Sequence, residues 1–271
     1  MREISLKSRS VQIASLIFLF FTVWWIFLFY RGGTGASLPN QIFSGAYGLM
    51  ALFGAFFGLA ASMKWGGTKS YFGRAILMFS LGLFAQEFGQ IAYSLYTFLF
   101  KIVIPYPSIG DIGYFGSIPL YIYGVLLLAK ISGVKISLRS FENKLQAVLI
   151  PLGILILSYV IFLRGYQFDW SSPLKIFLDF GYPIGQAMYI SLALLTFLLS
   201  RKTLGGILRP KIVFVLFALL IQYVADYTFL YQASRGTVYP GGVNDYIYLV
   251  SYFFMTLALL DLNLVVSKLK S

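Results

Sequence analysis

The stretch Tyr106-Pro107-Ser108-Ile109-Gly110-Asp111 ends in a carboxylate and leads directly into an apolar run from Ile112 to Ala129. The same arrangement returns late in the chain, where Tyr239-Pro240-Gly241-Gly242-Val243-Asn244-Asp245 precedes the apolar residues 246–260. In both places a polar loop with a proline meets an acid and then a hydrophobic segment. The two copies predict a repeated unit in which an aqueous loop enters a helix.

Apolar segments of this kind dominate the composition. Of the 271 residues, 59% are hydrophobic and only 11% are charged, roughly half the charged fraction of an ordinary soluble domain. Uncharged runs of about twenty residues recur, and each can cross roughly 30 Å of hydrocarbon. We therefore expect an all-α polytopic membrane protein, with one integral membrane domain over residues 1–271.

Eight transmembrane helices are predicted from these runs. Their expected bounds are Val11–Tyr30, Ile42–Met63, Ala75–Phe100, Ile112–Ala129, Leu145–Leu163, Ile176–Ser200, Ile212–Ala233 and Tyr246–Val266. The first apolar run is longer than the hydrophobic core of a signal peptide, so we interpret it as a membrane helix.

Lys and Arg are divided unevenly between the two ends of the predicted helices. Five lie at one end: Arg31, Lys101, Arg164, Lys175 and Arg235. The other sixteen are Arg2, Lys7, Arg9, Lys64, Lys69, Arg74, Lys130, Lys135, Arg139, Lys144, Arg201, Lys202, Arg209, Lys211, Lys268 and Lys270. Because cytoplasmic loops are rich in Lys and Arg, both termini are predicted to be cytoplasmic, in a cell (inner or cytoplasmic) membrane. The net charge of +12 thus indicates contact with the lipid bilayer, not with nucleic acid.

The outer loops also show a regular spacing. Each carries a proline, and the four prolines, 66 to 68 residues apart, are Pro39, Pro107, Pro173 and Pro240. This period predicts four tandem helical hairpins, at about residues 9–66, 74–132, 143–201 and 209–268. The second and fourth resemble each other most, because they share the Tyr-Pro turn and the acid.

Two further patterns concern helix packing. Gly54, Gly58 and Ser62 are spaced four apart on the second predicted helix, which favours a close contact with another helix. In the sixth, Gly181-Tyr182-Pro183-Ile184-Gly185 is the expected point of a break or kink, since proline removes a helical hydrogen bond.

The sequence contains no cysteine and no histidine. Disulfides, haem ligation and the usual zinc and copper sites are therefore excluded, together with the side chain most often used for proton transfer near neutral pH. We predict no metal, no cofactor and no enzymatic activity.

Five acids fall at mid-depth or in the outer half of the predicted helices. An ionisable group within the bilayer costs about 3 kcal/mol or more on insertion scales, so it normally faces the bundle interior and has a partner. Glutamines at similar depths can donate hydrogen bonds to carboxylates. These residues suggest a ligand-binding polar pocket, open to the outer side, among predicted helices three, four, six, seven and eight. The candidates are Glu87, Gln90, Asp111, Asp179, Tyr182, Gln186, Gln222, Asp226 and Asp245.

Structural roles stay open for each of these acids. Asp111 and Asp245 precede helices and are also typical of N-caps or first-turn acids. Glu87 and Asp226 could simply join helices to one another. Asp179 lies one turn past Lys175 and could pair with it.

Several short motifs lie between about Arg74 and Asp261. They are Gly73-Arg74, Gly89-Gln90, Pro105 to Tyr114, Gly181 to Gln186, Ala225-Asp226 and Tyr239 to Asp245. Together they resemble the membrane-embedded N-terminal sensory region of bacterial diguanylate cyclase and phosphodiesterase signalling proteins. The resemblance implies a sensory input module, here standing alone, since no cyclase, phosphodiesterase or kinase domain follows. Members of that family often have Asp where this chain has Gln90 and Gln186, which implies a less charged pocket.

The favoured prediction is a non-enzymatic, sensor-like membrane protein. It would bind a small molecule or cation from the outer side and signal through a membrane or cytoplasmic protein partner. A secondary transporter or channel for a small solute or cation is the alternative, because repeats, proline-containing helices and mid-depth acids are typical of such proteins. A structural or assembly subunit is a third possibility if the Gly54, Gly58 and Ser62 face contacts another protein.

Overall fold

Long apolar segments become helices in a bilayer because a helix satisfies its own backbone hydrogen bonds. The computed structural model describes residues 8–32, 37–134, 138–200 and 208–270. Its helices are α1 Arg9–Tyr30, α2 Leu38–Ala46, α3 Leu49–Lys64, α4 Tyr71–Ser94, α5 Gly110–Ile131, α6 Phe141–Ser158, α7 Pro173–Ser200, α8 Leu208–Ser234 and α9 Val243–Lys270. Short π-helical turns extend α4 over Leu95–Phe100 and α6 over Tyr159–Leu163.

Eight spans in the described residues are long and apolar enough to cross a membrane. This confirms a multi-pass membrane protein that contacts the lipid bilayer, with α2 and α3 together forming the second span. We call the end with loops 101–109, 164–172 and 235–242 the outer end, and the opposite one the inner end. Five of the basic residues assigned to the inner side lie outside the described residues: Arg2, Lys7, Lys135, Arg201 and Lys202.

Six of the spans form a ring. Helix α3 packs on α4, α4 on α5, α5 on α7, α7 on α8, α8 on α9, and α9 returns to α3. Outside the ring, α1 packs against α9 and the second span, and α6 packs against α7. Their peripheral position explains their exposure, because only 17% of the first span and 6% of the fifth is buried, against 44–61% of the others.

The second span differs from the single helix Ile42–Met63 that the sequence predicts, because it is interrupted at Tyr47-Gly48. In an unbroken α-helix, the Ser44 carbonyl would accept a hydrogen bond from the Gly48 N–H. It accepts one instead from the side-chain amide of Gln90 on α4, at 2.9 Å. The predicted span is confirmed, but the interruption within it was not predicted, because a side chain from another helix stabilises it.

Small residues bring α4 close to this interruption. A Cβ on Gly45 would lie 2.8 Å from the Ser94 Oγ atom, and a Cβ on Gly48 would lie 2.1 Å from Glu87 Oε2. The Ser94 hydroxyl also donates to the Gly45 carbonyl at 3.4 Å. A side chain at Gly45 or Gly48 would require the side chains of Ser94 or Glu87 to move.

Helix α7 runs without interruption through Gly181-Tyr182-Pro183-Ile184-Gly185, so a break, one of the two alternatives predicted there, does not occur. The glycines serve packing instead. A Cβ on Gly181 would lie 2.7 Å from the Phe115 ring, and one on Gly185 would lie 2.8 Å from Ile118, both on α5. The two glycines therefore let α5 approach α7 closely.

The small-residue face of α3 is in close contact, as its spacing predicts. A Cβ on Gly54 would lie 2.2 Å from Thr256 Oγ1 of α9, and one on Gly58 would lie 2.2 Å from Ser80 Oγ of α4. Ser62 donates to the backbone carbonyl of Gly73 at 2.7 Å. This face is thus covered by helices of the same chain.

Candidate functional site

Helices α5 and α9 begin with the same pattern of polar side chains, D-x-x-Y-x-x-S. The residues are Asp111, Tyr114 and Ser117 in α5, and Asp245, Tyr248 and Ser251 in α9, 134 positions later. A spacing of three places such residues along one side of a helix. The two helices therefore carry an equivalent polar stripe, one in the first half of the chain (α1 to α5) and one in the second (α6 to α9).

In the first half, this stripe bonds to two glutamines of α4. The Gln86 amide donates to Ser117 Oγ at 2.8 Å, and the Tyr114 hydroxyl donates to Gln90 Oε1. A hydroxyl from the second half joins them, because Tyr252 donates to Gln86 Oε1 at 3.0 Å.

In the second half, the same pair of contacts joins α9 to α8. The Ser251 hydroxyl donates to Gln222 Oε1 at 2.6 Å, and the Tyr248 hydroxyl donates to Asp226 Oδ1 at 2.9 Å. Gln222 and Asp226 thus correspond to Gln86 and Gln90, which lie 136 positions earlier. These tyrosines and serines are not among the predicted site residues, although the repeated spacing could have revealed them.

Asp226 has hydrogen-bond donors at both carboxylate oxygens. Tyr189 of α7 donates to Oδ2 at 2.7 Å, while Tyr248 and Gln222 donate to Oδ1 at 2.9 and 3.0 Å. Asp226 is buried, with 5% of its surface exposed. Because three helices supply its partners, this carboxylate joins α7, α8 and α9.

Asp111 lies in the first turn of α5 and accepts a hydrogen bond from the backbone N–H of Ser108 at 2.7 Å. Its other oxygen accepts from the Tyr182 hydroxyl of α7, also at 2.7 Å. The first contact fastens the outer loop to the helix, and the second crosses from the first half of the chain to the second.

Asp245 has the equivalent pair of contacts at the start of α9. The backbone N–H of Gly241 donates to Oδ2 at 2.8 Å, and the Ser44 hydroxyl of α2 donates to the same oxygen. The second contact again joins the two halves. Both acids are thus first-turn acids, and both also link one half to the other.

Asp179 bonds to two loop tyrosines rather than to Lys175. The Tyr106 hydroxyl donates to Oδ1 at 2.8 Å, and the Tyr166 hydroxyl donates to Oδ2 at 2.7 Å. Burial and this bond raise the pKa of Tyr106. The bond to Asp179 raises the pKa of Tyr166 to about 12. Both phenols therefore remain protonated donors at neutral pH.

Glu87 lies on α4 next to the interruption of the second span. It is 6% exposed, and its Oε2 atom has no hydrogen-bond partner within the described residues. The same holds for Oε1 of Gln186, which is 5% exposed on α7. Glu87 thus differs from Asp226, since its buried carboxylate is incompletely satisfied.

Eight of the nine predicted site residues fall into three clusters. The outer cluster is Asp111, Asp179 and Tyr182, the Asp226 cluster is Asp226 and Gln222, and the Glu87 cluster is Glu87, Gln90 and Asp245. Gln186 has no hydrogen bond to any of the three. The predicted pocket also omitted the second span, which supplies Ser44 and Gly48.

A cavity of about 330 Å³ lies between α7 and α8 near the inner end, and none of the predicted site residues lines it. Its walls include Phe197, Ser200, Arg209 and Val213. Within the described part of the chain, no group of three or more His, Cys, Asp or Glu side chains could hold a metal ion.

Comparisons with protein-family models, with curated proteins and with solved structures found no match to this chain. Its function must therefore be argued from the residues and contacts described above.

Proposed function

We propose that this protein is a non-enzymatic, sensor-like membrane protein that binds a small cationic or hydrogen-bonding ligand in its outer half. The observation that carries the proposal is the pair of contacts between the two halves. Asp111 and Asp245 each accept from a neutral hydroxyl of the other half, Tyr182 and Ser44 respectively. A ligand that presents an ammonium group or several donors could replace these hydroxyls and change how the halves meet.

The hydrogen bonds to Asp111 and Asp245 are weak enough for a ligand to replace. A hydrogen bond to a charged group contributes about 1.5–3 kcal/mol, so a ligand of modest affinity can compete with it. A ligand shifts the equilibrium only if it binds one arrangement better than the other. Helices α5 and α9 carry the two acids at their outer ends and extend to the inner end, so a shift of either helix would reach the inner side.

The proposal also includes an orientation and a way to transmit the signal. Both termini lie in the cytoplasm, the chain forms four tandem hairpins in the cell membrane, and a protein partner receives the signal. The distribution of Lys and Arg supports the orientation. The resemblance to sensory regions of diguanylate cyclase and phosphodiesterase proteins supports the sensory role.

Thermal unfolding of the purified chain can test ligand binding at these acids. We expect that at least one of methylamine, ethanolamine and putrescine raises the unfolding midpoint, and that Asp111→Asn with Asp245→Asn abolishes the rise. Asp169→Asn is the matched control, because Asp169 is an exposed outer-loop acid whose hydrogen bonds go to Ser171 two residues away. A rise that survives the double substitution would contradict the assignment.

A secondary transporter is the second candidate, and the interrupted second span beside Glu87 favours it. Transporters often place interrupted helices and buried acids at their binding sites. Solute movement into proteoliposomes that stops in Glu87→Gln would favour transport over sensing. The structural-subunit alternative loses its support, since the Gly54, Gly58 and Ser62 face packs against α4 and α9.

A further inference from the structure

The interruption at Tyr47-Gly48 changes the hydrogen bonding of the α2 carbonyl groups. The Met50 N–H donates to the Tyr47 carbonyl at 3.1 Å, whereas an α-helix would direct it to the Ala46 carbonyl. The Ala46 carbonyl thereby loses its helical donor. Carbonyl groups at the C-terminal end of an interrupted helix are typical cation ligands within membranes.

Glu87 lies beside this interruption with an unpartnered carboxylate oxygen. A Cβ on Gly48 would lie 2.1 Å from Glu87 Oε2, so that oxygen lies directly against the Gly48 backbone. The other buried acids of the outer half have donors: Asp226 has three, and Asp245 has Ser44 and Gly241. A buried carboxylate without such donors is unfavourable, so the group either takes up a proton or is accompanied by a positive charge.

We propose that Glu87 and the interrupted second span bind a small monovalent cation, Na⁺ or K⁺. Oxygen atoms are the available ligands, since the carboxylate and the freed Ala46 carbonyl both lie at the interruption. A single carboxylate balances a single positive charge. A divalent ion fits less well, because no group of three acids that could hold a metal occurs among the described residues. The inference deepens the proposed function and rests on it, since the Glu87 cluster also contains Asp245, one of the two acids of the proposed ligand site.

Thermal unfolding of the full chain in NaCl, KCl or choline chloride, at equal ionic strength, tests the site. Na⁺ or K⁺ should raise the midpoint by roughly 3 °C or more over choline once the cation exceeds its Kd about tenfold. Glu87→Gln should lose this rise. Glu142→Gln should keep it, because Glu142 is an exposed acid on α6.

Two further measurements keep the test independent of how Glu87→Gln folds. Gly48→Ala retains the carboxylate but places a methyl group against Oε2, so it should also lose the rise. Equilibrium dialysis of the unchanged chain with radioactive sodium and rubidium, the latter standing in for K⁺, should show saturable binding of one of them.

Equal midpoints in the three salts, together with no saturable binding, would overturn the inference. So would a cation-dependent rise that persists in both Glu87→Gln and Gly48→Ala. If an amine acts through Asp111 and Asp245 while no Na⁺ or K⁺ effect needs Glu87, the inference fails and the proposed function stands. If neither an amine nor a cation acts, both fail.

Discussion

At the scale of single residues, Asp226 and Glu87 show how partners decide the role of a buried carboxylate. A buried polar group without a partner bears its full desolvation cost, whereas a satisfied one contributes to stability. Asp226 accepts hydrogen bonds from the hydroxyls of Tyr189 and Tyr248, while Glu87 Oε2 faces the backbone of Gly48. We therefore propose a structural role for Asp226 and a binding role for Glu87.

Loss of one tyrosine hydroxyl should show how much the Asp226 cluster stabilises the fold. We expect Tyr248→Phe to lower the free energy of unfolding by about 1.5–3 kcal/mol, because it leaves a buried carboxylate short of a donor. Reversible unfolding in mixed detergent micelles measures this difference. Tyr123→Phe is the control, since Tyr123 is 43% exposed. Equal stabilities of the two variants would contradict the role assigned to Asp226.

A second prediction at this scale concerns pH. The bond to Asp179 raises the pKa of Tyr166 to about 12, above its usual value of about 10. The stabilisation from this bond is therefore complete below about pH 10 and disappears as pH rises toward the folded-state pKa. Ultraviolet absorbance of tyrosinate follows the titration.

Trp170 offers a local reporter of the same event, because it stacks on Phe168, whose ring contacts that of Tyr166. Its fluorescence should change between about pH 10 and 12. In Asp179→Asn, Tyr166 should titrate near pH 10. An unchanged titration in that variant would mean that Asp179 does not control the phenol.

At the scale of helices, glycine determines how closely α4 and α5 approach. A Cβ on Gly82 would meet the Tyr121 ring at 2.2 Å, and one on Gly89 would meet the Tyr114 ring at 2.5 Å. On α5, a Cβ on Gly113 would lie 2.3 Å from the backbone oxygen of Ala85. At Gly82 and Gly89 the missing Cβ leaves room for an aromatic ring. At Gly113 it leaves room for a backbone oxygen, which cannot rotate away.

Gly113→Ala should therefore separate α4 from α5 and destabilise the protein by about 1–3 kcal/mol, the usual cost of overpacking. Gly116→Ala is a matched control on the same helix, since its Cβ would meet nothing within 4 Å. That control should be neutral or slightly stabilising, because alanine favours helix over glycine. Thermal unfolding of the two variants gives the comparison. Equal effects of the two substitutions on stability would contradict the close contact assigned to Gly113.

The helices also show how much of the fold could be predicted from the sequence. Span length and hydropathy are local properties, so the predicted helices match the eight spans to within a few residues. The interruption at Tyr47-Gly48 depends on Gln90, a side chain of another helix, and no local pattern indicates it. Conversely, the sequence predicts a break or kink at Pro183, and α7 has no break there, since membrane helices tolerate proline within them.

At the scale of the whole molecule, the polar contacts show a longer repeat than the outer prolines. The prolines recur every 66 to 68 residues, whereas the D-x-x-Y-x-x-S stripe recurs after 134 residues and its partners after 136. Each half contains four spans, so equivalent helices of the two halves cross in the same direction. Cross-half bonds lie at both ends: Tyr182 donates to Asp111 at the outer end, and Trp65 donates to the Leu262 carbonyl at the inner end.

The proposed orientation makes a prediction for the whole chain. Because the protein contains no cysteine, single cysteines can report which end faces outward. Thr237 is exposed in an outer loop, and Thr68 is exposed at the inner end between α3 and α4. In intact cells, a membrane-impermeant maleimide should label Thr237→Cys and spare Thr68→Cys. Permeabilised cells should show both labelled, which controls for reactivity. The reverse pattern would place the basic residues outside and remove the outward-facing site from the proposed function, since Asp111, Asp179 and Asp245 would then face the cytoplasm.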